Sequence, residues 1–177
     1  MSDIMIDLET LATGPDAVIL TLGAIKFDPY DFEKDPGPGL YFKFDVNEQF
    51  KLGRQANDTT IAWWGEQPED VREEAMGEEG RIPLNDGLDQ LNKFLVGADN
   101  IWAQGPVFDI CMLENLMRQL NRPSPWQYWQ IRDSRTLFGV HGDPRAKGRE
   151  QAHNALADCY YQARAVQEVF KNLGLKK

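Results

Sequence analysis

The sequence predicts an α/β domain built around one mixed β-sheet, on three observations. The first quarter is rich in strand-forming residues, and the remainder alternates helical and strand patterns. At 177 residues the chain is long enough for one well-buried core and short for two, so residues 1–177 are read as a single domain. Hydrophobic residues make up 42%, with nine Phe, five Trp and five Tyr, an ordinary globular composition without repeats or low-complexity segments.

The elements follow in order. Asp3–Leu8 reads as a strand despite its acids, and Ala17–Phe27 (AVILTLGAIKF) as a long strand buried on both faces. Asp28–Gly39, rich in Pro, Asp and Gly, is a loop leading to a third strand, Leu40–Phe44, and these strands can pair antiparallel with the first. A short helix capped by Thr59 or Thr60 carries Ile61, Trp63 and Trp64 and closes at Pro68. Another covers Glu69–Met76. Pro83 opens a helix whose Leu84, Leu88, Leu91 and Leu95 form one apolar stripe. Ile101–Gln104 is a short buried strand, Phe108–Leu120 a helix and Tyr128–Arg132 the last strand. His153–Leu173 closes the chain as a helix with Leu156, Tyr160, Ala163, Val166 and Phe170 inward. Gly139–Gly148 (GVHGDPRAKG) is expected to be a mobile loop, with His141 on the surface.

The formal charge is −9, from 28 acidic and 19 basic residues, which argues against coating long nucleic acid through a basic surface. It leaves room for a nuclease, since clustered carboxylates hold cations that in turn attract phosphate. No apolar run approaches the roughly 20 residues of a membrane helix. Cys111 and Cys159 fall in apolar helical patterns and are expected to be buried free thiols, which points to a reducing, cytoplasmic setting.

Five residues carry the chemistry. Asp7 and Glu9 are two apart on a strand, so both carboxylates project from one face and can share ions. Bare buried charge costs several kcal/mol, which metal ions would offset; solvated acids at a strand end are the plainer alternative. Asp109 follows the turn Gly105-Pro106-Val107 and opens a helix, either as a ligand at a strand's carboxyl end or as a helix cap. His153 and Asp158 are five apart, about 140° around a helix. They can flank one site only if His153 precedes the helix and Asp158 lies one turn in.

The ordered pattern D-x-E-T, F-D and H-x-A-x-x-D, from Asp7 to Asp158, resembles the DEDDh branch of the ribonuclease H-like 3′–5′ exonucleases. The tandem Trp63–Trp64 resembles a small bacterial and phage branch described as exoribonuclease-like. The resemblance implies a ribonuclease H-like fold with a mixed central sheet flanked by helices. It implies that Asp7, Glu9, Asp109 and Asp158 bind two Mg²⁺ or Mn²⁺ ions, about 3.5–4 Å apart in two-metal sites, with His153 as general base. The substrate would be the 3′ end of single-stranded RNA or DNA, RNA being preferred, and the product a nucleoside 5′-monophosphate. A terminal base would stack on Trp64, less favourably on Trp63, unless both are core residues; Thr10 and Phe108, beside the motif acids, would also touch substrate. Arg145, Lys147 and Arg149 would meet backbone phosphates. Arg132, Asp133, Arg135 and Thr136 are read mainly as structural, and Trp126 and Trp129 as packing a sheet edge or a homodimer contact. The competing readings are an exodeoxyribonuclease, a phosphodiesterase acting on small nucleotides, a proofreading subunit, and a catalytically silent binding module.

Overall fold

In the computed structural model, residues 2–145 and 153–177 are described. Six strands form one sheet in the order β4-β3-β2-β1-β5-β6. β1 (Ser2–Thr10) is central, antiparallel to β2 (Ile19–Phe27) and parallel to β5 (Ala98–Ala103). β3 (Gly39–Phe44) pairs antiparallel with β2, and two short parallel strands, β4 (Arg81–Ile82) and β6 (Ile131–Asp133), finish the edges. The sheet is mixed, as expected from the sequence.

Strand alternation divides the core between the two faces. Ile4, Ile6 and Leu8 of β1 pack with Leu84, Leu88 and Leu91 of α4 (Leu84–Leu95) and with Leu113 and Leu116 of α5 (Asp109–Gln119). Met5 on the opposite face packs with Phe138 of α6 (Ser134–His141) and with Ala163 and Val166 of α7 (Ala155–Asn172). A third cluster joins Leu11, Val18 and Leu20 to Trp64 of α2 (Asp58–Gly65) and Ala75 of α3 (Glu69–Met76). A buried leucine or phenylalanine contributes about 1.5–3 kcal/mol, so these clusters supply the main driving force.

Several local expectations are corrected. The cap of α2 is Asn57, whose side chain accepts from Thr60 N, and neither Thr59 nor Thr60 serves. Tyr128–Gln130 is a 3-10 turn, and the last strand begins only at Ile131. α6 extends to His141 inside the expected loop, whose residues 146–148 lie outside the described residues. Cys159 is buried but Cys111 is exposed on α5, because Ile110 and Met112 on either side of it take the core-facing positions. The short helix α1 (Val46–Lys51) and β4 had no periodic signal long enough to be seen.

Candidate active site

The site forms where β1 runs out beyond its partner β5. Asp7 and Glu9 project from the same face of β1, and both are half-buried. Opposite Asp7 in the β1–β2 ladder stands Gly23. A Cβ there would lie 2.3 Å from the carbonyl carbon of Ala155, so only glycine lets the first turn of α7 rest on the sheet. Cys159 Sγ donates to the Gly23 carbonyl at 3.3 Å and fixes that contact. α7 is capped by Asn154, which accepts from Ala157 N at 3.0 Å, and Asp158 follows in its first turn. Oxygens of Asp7, Glu9 and Asp158 consequently lie within 4.8 Å of one another.

Asp109 approaches from the other face. It is the first residue of α5, and its Oδ1 accepts from Leu8 N at 3.1 Å, a donor that β5 no longer reaches. It lines the same pocket as the three acids but stands outside their tight cluster. His153 lies on the segment before α7, two residues ahead of its first turn, with φ +45, a left-handed conformation unusual for a residue other than glycine. The geometric condition on His153 and Asp158 is thus met. The His153 ring meets Trp63 edge to face, centroids 4.9 Å apart.

The electrostatics follow from crowding. Burial pushes the Asp7 carboxyl well up, and Asp109, Glu9 and Asp158 push it further, while Gln162 opposes them by donating from Nε2 to Asp7 Oδ1 at 2.9 Å. Burial, then Asp158 and Asp109, raises Glu9 to about 8. Burial raises Asp109 to about 7 against its backbone hydrogen bonds and the charge of Arg135. The pocket above these acids has a volume of about 830 Å³ and reaches Thr10, Trp63, Phe108, Arg135, Arg145 and His153.

The two tryptophans separate. Trp64 is 1% exposed and donates from Nε1 to the Thr10 carbonyl at 2.9 Å, so its indole anchors α2 from within, although it reaches the pocket wall. Trp63 is 38% exposed on the same wall. Of the pair, Trp64, the one preferred from the sequence for stacking, is thus the buried one, and Trp63 is the more exposed. Thr10 is itself buried, its hydroxyl donating to the Ala12 carbonyl at 2.7 Å. Lys147 and Arg149 lie outside the described residues, whereas Arg145 reaches the pocket. Arg132 donates to the Trp129 and Ile131 carbonyls, and Thr136 donates to Asp133, both structural uses. Trp126 is buried and bonded to Glu114, while Trp129 is exposed beside Tyr128.

Sequence reasoning missed Gln162 and Gln104. Gln162 lies one turn after Asp158 on the same face of α7, and that spacing of four was the available signal. Gln104, at the end of β5, carried no such signal.

The family model and the fold together define the class, a 3′–5′ exonuclease, on a fold shared with a DEDDh family member. The model of the Rv2179c-like 3′–5′ exoribonuclease domain matches residues 2–170, and the chain belongs to that family. It is 29% identical to the exodeoxyribonuclease of Enterobacteria phage T4, over 90% of this chain and 85% of the phage protein. Two solved structures share the fold at low identity. The nuclease domain of 3′hExo, a DEDDh family member bound to rAMP, aligns with TM-score 0.63 and 13% identity over 97% of this chain and 92% of that one. Cell-death related nuclease 4 aligns with TM-score 0.65 and 14% identity; it covers 98% of this chain, which spans only 64% of its length. Asp7, Glu9 and Asp158 form a carboxylate cluster whose oxygens are close enough together to share a metal ion. Among the described residues no helix is long and apolar enough to cross a membrane.

Proposed function

We propose that this protein removes nucleotides singly from the 3′ end of single-stranded nucleic acid, RNA in preference to DNA, and releases nucleoside 5′-monophosphates. The observation that carries this reading is the meeting of Asp7, Glu9 and Asp158 oxygens within 4.8 Å at the floor of an open pocket. An all-oxygen carboxylate set suits a hard cation such as Mg²⁺ or Mn²⁺. Gln162 Oε1, buried beside Asp7, has no hydrogen-bond partner among the described residues and offers a further acceptor.

Asp7, Glu9 and Asp158, joined by Asp109, would hold two such ions. Bound there, they would supply Lewis acidity to the attacking water and to the leaving oxygen. The chain's own groups do the rest. His153 accepts the proton of the attacking water as its oxygen bonds to phosphorus. The P–O3′ bond breaks, and its electron pair leaves with the 3′ oxygen of the shortened strand. Trp63 offers its exposed face to the terminal base, and Thr10 and Phe108 shape the pocket around the sugar.

The family description favours RNA, and the relationship to a phage exodeoxyribonuclease keeps DNA as the second reading. Matched end-labelled RNA and DNA strands, incubated with Mg²⁺ or Mn²⁺, test both. Stepwise shortening from the 3′ end is expected, faster on RNA. Endonucleolytic fragments, or cleavage undiminished by EDTA, would overturn the proposal.

A further inference from the structure

The pocket also carries charge of the opposite sign. Arg135 and Arg145 line its wall, and both are braced by Gln104 at the end of β5. The Gln104 carbonyl accepts from Arg135 Nη2 at 2.9 Å, and its side-chain oxygen accepts from Arg145 Nη2 at 2.6 Å. Gly105, at φ +109, turns the backbone after Gln104 beneath the Arg135 guanidinium, which lies at ordinary contact distance. Arg145 is half-buried, pairs with Asp143 at 2.8 Å and lies over the Phe138 ring. Arg135 is exposed and has no carboxylate within ion-pair distance among the described residues.

Two guanidinium groups held on one wall of an acidic protein's pocket suit a polyanion. The order of strands says which part of the strand meets them. The acids stand on β1. Trp63 stands on α2, which packs through Trp64 on Leu20 of β2, and its own ring meets His153 ahead of α7. The arginines lie to the β5–β6 side. A scissile phosphate at the acids, with its 3′-terminal base toward Trp63, sends the upstream strand across to Gln104.

We propose that Arg135, braced by Gln104 and assisted by Arg145, binds the phosphodiester immediately upstream of the scissile one. This rests on the exonuclease reading and adds to it a substrate requirement: the site recognises two consecutive phosphates. It follows that the protein prefers oligonucleotides to esters of single nucleotides, and that Arg135 sets this preference.

The test compares kcat/KM on a trinucleotide with kcat/KM on a nucleoside 5′-(p-nitrophenyl phosphate), which has only the bond to be cut. For Arg135→Gln the trinucleotide-to-ester ratio is expected to fall about tenfold or more, since a charge-assisted contact is lost, with Arg135→Lys recovering part of it. Because the ratio is taken within one preparation, any loss of folded protein cancels. Placing a neutral methylphosphonate at the second linkage should slow the wild type and add little penalty in Arg135→Gln. An unchanged ratio, or an equal methylphosphonate penalty in both proteins, overturns the assignment. Wild-type protein that releases no nucleoside 5′-monophosphate from either substrate would instead remove the exonuclease reading, and the phosphate contact with it.

Discussion

The two ends of β1 hold the same kind of group and treat it oppositely. Asp3, Asp7 and Glu9 all lie on one face of the strand, and Asp3 is 5% exposed. The Asp3 carboxylate accepts from Asn100 Nδ2 at 3.0 and 3.2 Å and from Trp102 Nε1 at 2.6 Å. Burial raises its carboxyl, and those donors pull it back. At the other end, Asp7 has the Gln162 amide and three neighbouring carboxylates that repel it. Burial of an acid therefore does not mark a site by itself. The supply of donors distinguishes a carboxylate that holds the fold together from a crowded cluster of the kind proposed above to hold cations.

Exchanging the roles of the two ends should give the largest effects. Asp7→Asn is expected to lower kcat on the order of 10³-fold or more, because stabilisation of developing charge is lost. Its folded state, measured in EDTA, should be no less stable than the wild type. Asp3→Ala should do the reverse, costing about 1–3 kcal/mol in urea unfolding because its donors are left buried and unsatisfied, with divalent-ion uptake retained. Loss of ion uptake in Asp3→Ala, with stability intact, would dissolve the contrast.

His153→Ala comes next, with single-turnover rates expected to fall about 10²–10⁴-fold while calorimetric uptake of Mn²⁺ persists. Wild-type rates in that variant would remove His153 from proton transfer. Trp63→Ala is expected to weaken binding of a short single strand by about 1–3 kcal/mol. Trp64→Ala should act mainly on stability, by about 3–5 kcal/mol, since its indole fills the core and its Nε1 holds the Thr10 carbonyl. Equal effects of both on strand binding, with no change in melting, would show that burial does not separate them.

Much of this architecture was legible because it rests on periodicity and order. The stripe Leu84–Leu95 lies within one helix, and the apolar run Ala17–Phe27 forms β2 from Ile19 onward, its first two residues staying buried ahead of the strand. The condition placed on His153 and Asp158 followed from helix geometry alone and was met by a cap at Asn154. The tryptophan ranking was not legible, because adjacent residues on a one- to two-turn helix differ only in which neighbour they meet. Arg135 sat in a motif read as structural, and its turn toward the pocket depends on the Gln104 carbonyl, a tertiary contact without a local signal. Gly23 carried its reason only once the partner helix was in place.

The smallest expected effect concerns pH, and it sharpens the contrast without touching activity. Free of divalent ions, the folded protein holds protons that the unfolded chain has released: Glu9 titrates at about 8 rather than 4.5, and Asp109 at about 7 rather than 3.8. The native state binds more protons across that interval, so unfolding becomes easier as pH rises. The stabilisation from protonation is whole below about pH 4 and is lost as pH passes through about 7 to 8. In EDTA, the melting temperature should therefore be lower at pH 8.5 than at pH 5.5. Mn²⁺ added at pH 8.5 should restore it, because cations then take the place of the protons. Glu9→Gln should flatten the EDTA profile, whereas Asp143→Asn, at a pair on the pocket's far wall, should not. An EDTA-treated protein more stable at pH 8.5, or one whose melting ignores Mn²⁺, would mean that the cluster at the end of β1 is satisfied by its own protein, as Asp3 is.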